Sequence, residues 1–205
     1  MIDMDAVLQQ QLPIIAAPKF KDFEPLQESG DRFVVTDRGL VLESKRPWVR
    51  AIVPVTKGEP TRPIPFGKGP EIGVNLLCGR IPQELQDRFL QEARAALPNE
   101  AACWFTWNEH TAEFRYRHVE VLEHSPVRVR YARPDLDEGE HLIADVHSHG
   151  TFAAGFSSDD EFDDKGTLQV SIVFGNVDSD RPTYACVMRC LGVTLPGRSI
   201  RFEGA

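Results

Sequence analysis

The stretch His141-Leu142-Ile143-Ala144-Asp145-Val146-His147-Ser148-His149, continued by Gly150 to Phe156 and then Ser157-Ser158-Asp159-Asp160, decides how this chain is read. Leu142, Ala144 and Val146 recur at every second position, the period of a strand with one buried face. On a strand, residues two apart point to the same side, about 6.5–7 Å from one another, so His147 and His149 present their imidazoles together. The seven residues Gly150 to Phe156, with glycine at 150 and 155, make a loop able to return Asp160 to the same place. The whole reads H-x-H-x₇-S-x₂-D. His147, His149 and Asp160 are three side chains of the kinds that bind zinc, with a fourth position left for water, the usual arrangement of a catalytic rather than a structural site. A plainer reading fits the second half: Ser157-x-x-Asp160 is a helix-capping pattern, and acids at 159–161 suit a helix N-terminus. The two readings are compatible, because a helix N-terminus can hold Asp160 rigidly as a ligand.

Working outward, the elements order as strand, long helix, several strands, a short acidic helix and more strands, an α+β layout around a mixed sheet. Ile72 to Leu77 reads as a strand, and Pro82 to Leu97 as a helix with proline in its first turn and Pro98 ending it. Leu85, Phe89, Ala93, Ala96 and Leu97 share one face of that helix at helical spacing, so it covers a core. Ala101 to Trp107 is an apolar run of strand length. After a turn at Asn108–Thr111 the chain returns through Phe114, Tyr116 and His118, then shifts phase to Val119 and Val121, which suggests a bulge. Val127, Val129 and Tyr131 alternate with arginines, the pattern of a half-exposed strand. Leu168–Phe174, Thr183–Cys190 and Ser199–Phe202 supply further strands. Upstream, Phe33–Val35, Leu40–Leu42 and Trp48–Val53 form a small antiparallel meander. Residues 54–70, with prolines at 54, 60, 63, 65 and 70, read as a stiff linker. The expected division is therefore an N-terminal extension over 1–70 and a second domain over 71–205.

A chain of 205 residues with 41% hydrophobic and 26% charged residues is ordinary for a soluble globular protein. The net charge of −8 argues against broad nucleic-acid or anionic-membrane binding, which need a basic patch. No apolar run approaches the roughly 20 residues that span a bilayer, and the N-terminus lacks the layout of a signal peptide. Cys78, Cys103, Cys186 and Cys190 show no paired spacing. Cys186 and Cys190, four apart on a strand, lie about 13 Å from each other, too far for a disulfide. Buried thiols in a reducing cytoplasm are expected.

The motif resembles the signature of the JAMM (MPN-plus, Mov34/MPN/PAD-1) metalloproteases of the JAB-domain family, which consists of a glutamate, a gap, and H-[ST]-H-x₇-S-x₂-D. The resemblance spans roughly residues 72–190. It implies a cytidine-deaminase-like JAB/MPN fold, a mixed sheet flanked by helices, here with a small β-rich N-terminal extension. It also implies a Zn2+ ion on His147, His149 and Asp160, with Ser157 donating a hydrogen bond to the developing oxyanion. The family's glutamate begins the strand after the first long helix, a place held here by Glu100, 47 residues before His147. Glu100 is then the general base, with Glu92, Glu109 and Glu113 as rivals. Members cleave isopeptide or peptide bonds next to the C-terminus of ubiquitin or ubiquitin-like proteins, and bacterial members accompany ubiquitin-like and activating-enzyme-like partners. The PRTRC-system protein A group is similar in size and in having an extension. The chain departs from the pattern at Gly150, where the family usually has proline, which is expected to loosen the loop. It also shows no long insertion of the kind that grips ubiquitin.

Other functional classes fit less well. A non-catalytic MPN-type scaffold in a ubiquitin-like or plasmid-associated system is the alternative, opposed by the filled ligand positions. Metallo-β-lactamase-like enzymes need HxHxDH, and amidohydrolase barrels need about 250 residues. Asp145, on the His147 side of its strand, is a candidate to orient an imidazole, with an edge or salt-bridge role the equal alternative. Phe152 and Phe156 could contact an extended substrate tail, with folding back over the core the stronger expectation. His110, His118, His124 and His141 have no ligand spacing, and Asp159, Glu161, Asp163 and Asp164 read as a solvated helix face.

Overall fold

The computed structural model describes residues 3–56, 58–157 and 166–203. The chain forms two compact units, residues 1–77 with 199–205, and residues 78–198.

The first unit opens with α1 (Met4–Gln11), capped by Asp3, whose carboxylate accepts from the amides of Asp5 and Ala6. Its sheet runs in the order β1 (Ile14–Ala16), β2 (Gly30–Thr36), β3 (Gly39–Arg46), β4 (Val49–Pro54), β5 (Gly73–Leu76) and β14 (Ile200–Phe202). The expected meander is β2, β3 and β4, closed by a turn in which Gly39 takes φ 123°. The boundary lies elsewhere than expected. β5 pairs antiparallel with β4, and β14 pairs parallel with β5. The proline-rich stretch thus connects two strands of one sheet. Both Ile72–Leu77 and Ser199–Phe202, expected in the second domain, complete this first unit. Glu43 is fully buried here, between Arg32 and Arg50.

The second unit has a mixed sheet in the order β13 (Val193–Pro196), β12 (Thr183–Cys190), β11 (Leu168–Gly175), β10 (Glu140–Ser148), β6 (Ala102–Asn108) and β7 (Glu113–His118). β10 and β11 are parallel, and the other pairs are antiparallel. α2 (Gln83–Ala96) covers one face, burying Phe89 and Ala93, with the Phe89 ring 5.6 Å from that of Phe174. Burying a phenylalanine this completely contributes about 1.5–3 kcal/mol. Leu97 leaves the helix with ψ 140°, the extended geometry that a following proline imposes. Cys103, Phe105, Ala144, Val146, Ile172 and Met188 complete the buried layer. All four cysteines are free thiols. No helix among the described residues is long and apolar enough to cross a membrane.

The phase shift after His118 is not a bulge in β7. The chain leaves the sheet there and forms a separate two-stranded hairpin, β8 (Glu120–Ser125) with β9 (Arg128–Ala132). A bulge does occur within β10, between Leu142 and Ala144, so Leu142 falls out of phase and Ile143 is buried. α2 is the helix that the described residues show in this unit. The acidic helix expected after Ser157 falls outside them.

Candidate metal centre

The centre is assembled by the pairing of β6 with β10. Their antiparallel register sets His147 opposite Ala102. The ladder continues one step further: the Ser148 amide donates to Ala101 O at 2.9 Å, and the Ala101 amide donates to Ser148 Oγ at 3.0 Å. Counted one residue further, this register matches Glu100 with His149, and both line one cavity. Opposed residues of an antiparallel pair share a face, so Glu100, His147 and His149 lie on the side away from α2.

The two imidazoles converge. Nε2 of His147 stands 3.3 Å from Nε2 of His149, with ring centroids 5.2 Å apart. Two nitrogens bound to one tetrahedral zinc at 2.0–2.1 Å lie about 3.3–3.4 Å apart, so the pair fits that ion. Glu100 is buried at 6% exposure, and its amide donates to Ser125 O at 2.9 Å. Glu100, His147, His149 and Ser157 all line one cavity of about 560 Å³. Asp160, the third expected ligand, lies outside the described residues.

The loop after His149 is not loose. Gly150 takes φ +53°, a value closed to proline, whose ring fixes φ near −65°, and this accounts for the departure at that position. Backbone hydrogen bonds then tie the loop down: His149 N to Phe174 O, Phe152 N to His149 O, Val177 N to Gly150 O and Asn176 N to Phe152 O. Gly175, a residue without a signal in the motif, permits this. A Cβ there would stand 2.2 Å from Ala154 N and 2.4 Å from Phe152 O. Its place at the end of an apolar strand was the only sequence clue. Phe152 does not fold over the core; it is 57% exposed and lines the cavity. Phe156 packs with its ring 5.1 Å from the Arg189 guanidinium carbon.

Asp145 is buried on the same side of β10, and its carboxylate accepts from Trp104 Nε1 at 3.1 Å and from Tyr131 OH at 2.5 Å. Tyr131 belongs to β9, so the hairpin holds the His147 strand at this point and the Glu100 backbone at Ser125. The hairpin also supplies Val127, Arg128, Val129, Arg130 and Tyr131 to the cavity wall. Of the rival glutamates, Glu92, on α2, accepts from Tyr116 on the face of the sheet that α2 covers, and Glu109 lies 3.3 Å from His141 Nε2. Neither Glu92, Glu109 nor Glu113 lines the cavity. His141 stacks on Trp107.

Comparison with known proteins places these observations. A family described as prokaryotic homologs of the JAB domain matches residues 82–189. A domain of unknown function (DUF2016) matches residues 3–76, close to the extent of the first unit before its C-terminal strand. No curated protein matches the chain. Among solved structures, the solution structure of protein DSY2949 from Desulfitobacterium hafniense is similar at 16% identity and a TM-score of 0.44, covering 60% of this chain and 91% of that one.

Proposed function

The chain belongs to the family of prokaryotic homologs of the JAB domain, and from that premise we propose that it is a zinc-dependent peptidase that hydrolyses an isopeptide or peptide bond next to the C-terminus of a ubiquitin-like protein. One observation carries the reading: Glu100, His147, His149 and Ser157, far apart in sequence, line a single cavity. His147 and His149 would hold the ion from the sheet side, and Asp160 is assigned the third ligand position by the motif. A zinc ion held there supplies Lewis acidity toward water and toward an amide carbonyl.

Glu100 accepts a proton from the attacking water as its oxygen bonds to the carbonyl carbon. It delivers that proton to the leaving nitrogen as the C–N bond breaks. Its burial beside the imidazoles keeps bulk water from competing for that proton. Ser157 Oγ donates to the oxygen that gains charge, a contact whose loss typically costs 10²–10³ in rate. The edge of β9 along the cavity suits a substrate that enters as an extended chain, pairing its backbone with a strand.

The test combines metal analysis with cleavage. The purified protein is expected to carry about one zinc per chain. It is expected to cut a ubiquitin-like protein bearing a C-terminal extension, drawn from the same genome, and to stop when a chelator is added. Bound zinc without cleavage of any such substrate would sink the peptidase reading and favour a scaffold.

A further inference from the structure

The geometry points to an acidic, extended segment as what the β9 wall of the cavity receives, an inference that rests on the peptidase reading only for the cut that follows binding. Five consecutive residues of the hairpin, Val127 to Tyr131, line the cavity. Side chains of successive strand residues point to opposite faces, so an unbroken run along one wall means that the strand meets the cavity edge-on. β8 occupies the other edge of β9, and no strand pairs with the cavity edge among the described residues. The N–H and C=O groups of such an edge take an extended chain as the next strand.

Alternation then sorts the side chains. Tyr131 turns its hydroxyl to Asp145 on one face. Arg128 and Arg130 share the opposite face, and Arg133 continues the cavity wall beyond the strand; all three are exposed. Arg130 already has Glu123 of β8 across the pair at 3.6 Å, with both side chains more than half exposed. Arg128 stands opposite Ser125 and has no carboxylate partner among the described residues. A segment added along the free edge sets alternate side chains beside Arg128 and Arg130, and acids at positions i and i+2 match both. A lysine- or arginine-rich tail meets like charges at the same two places. Arg128, Arg130 and Arg133 stand along the cavity that Glu100 and Asp145 also line, and in a chain of net charge −8 this cluster of guanidiniums favours an anionic chain over a cationic one at the β9 wall.

The experiment uses the full-length, zinc-loaded protein and three fluorescein-labelled ten-residue peptides of alternating Glu–Thr, Gln–Thr and Lys–Thr, with binding read by anisotropy. Cross-strand charge pairs are each worth roughly 1.4- to 5-fold, so two of them are expected to make the Glu–Thr peptide about twofold to thirtyfold tighter than the Gln–Thr peptide. The Lys–Thr peptide is expected to be weakest, and added salt to shrink the differences. R128E/R130E is expected to invert the order and R128Q/R130Q to abolish it, both with an unchanged melting temperature. Equal binding of the three peptides, no binding of any, or a preference for glutamate that survives R128E/R130E overturns the inference. Because binding is read without cleavage, an acidic preference with no hydrolysis overturns the peptidase reading alone. Hydrolysis without that preference overturns this inference alone.

Discussion

Glu43 in the first unit and Glu100 in the second are both buried, in contrasting surroundings. Glu43, in the first unit, has no exposed surface, and both its oxygens are taken. Oε1 accepts from the Leu26 amide at 3.0 Å and from Arg50 Nε at 3.1 Å, and Oε2 accepts from Arg32 Nε at 2.7 Å. Glu100, in the second unit, is almost as deeply buried, yet it borders a cavity shared with two imidazoles and a serine. Burial alone therefore does not mark a reactive carboxylate. A buried carboxylate closed in by guanidiniums is a structural tie, whereas one that borders a cavity with two imidazoles is, under the proposed function, the one to exchange a proton.

The sharpest way to break that contrast is to make the same isosteric change at both. Glu100→Gln is expected to keep the fold and the metal and to lower cleavage by about 10²–10⁴-fold, the usual worth of a positioned general base. Glu43→Gln is expected to leave the chemistry of the second unit intact and to destabilise the first. Removing one partner of a buried ion pair costs about 3–5 kcal/mol. The lower end applies here, because the Arg32 and Arg50 side chains keep 15% and 29% of their surface. Hydrogen exchange at the amides of β2, β3 and β4, set beside cleavage assays, separates the two outcomes. Full activity in Glu100→Gln removes that residue from the mechanism, and unaltered protection in Glu43→Gln removes the distinction.

How far the sequence could be read follows from which contacts are local. The spacing of Phe89 and Ala93 and the apolar run of β6 each lie within one element, and the H-x-H spans the end of β10 and the residue that follows it, so these patterns are local and legible. The shared cavity of Glu100 and His147, 47 residues apart in sequence, could be inferred only through resemblance, since the register between β6 and β10 leaves no trace in either strand alone. The same reason hides which sheet β5 and β14, both legible as strands, belong to. A proline-rich stretch has the composition of a linker whether it joins two units or two strands of one sheet, and only the pairing of Ile52 with Gly73 decides between them. In the sequence the entry to the hairpin shows only as a phase shift, because periodicity records a change of face and not a change of sheet. Tyr131 and Gly175 carry no local signature of their parts in the site; what defines them is the oxygen or backbone atom they approach.

The loop between the ligands offers a smaller contrast of the same kind, between two glycines. Gly175 is crowded by backbone of the loop, while a Cβ at Gly155 would meet nothing within 4 Å. Gly175→Ala is expected to cost roughly 1–3 kcal/mol, because backbone must shift to admit the methyl. It is also expected to weaken zinc binding, since the loop runs from His149 to Ser157. Gly155→Ala is expected to change neither. A melting curve and a zinc titration on each variant compare them, and indistinguishable variants would mean that the close approach at Gly175 does not hold the loop in place.

Another buried carboxylate, Glu140 in β10, sharpens the comparison from the structural side and has the smallest expected effect. Arg117, Thr106 and the Asp137 amide all donate to it. The Arg117 guanidinium, ahead of the other donors, holds its carboxyl down at about 2. An ordinary glutamate in the unfolded chain titrates near 4.3. A carboxyl depressed on folding stabilises the native state fully above the unfolded value and loses that contribution as pH falls toward the folded one. The protein should therefore lose stability between about pH 4.5 and pH 2 through this group. Arg117→Gln returns the carboxyl toward its ordinary value, so the variant should trail the parent by on the order of 1–2 kcal/mol at neutral pH. The full strength of a charged hydrogen bond is not expected, because the Arg117 side chain is 29% exposed. The gap should close as the solution is acidified through that window, which denaturant titrations at a series of pH values measure directly. A gap that stays constant from neutral pH to pH 2 would mean that Glu140 and Arg117 meet without their ionisation being coupled to the fold.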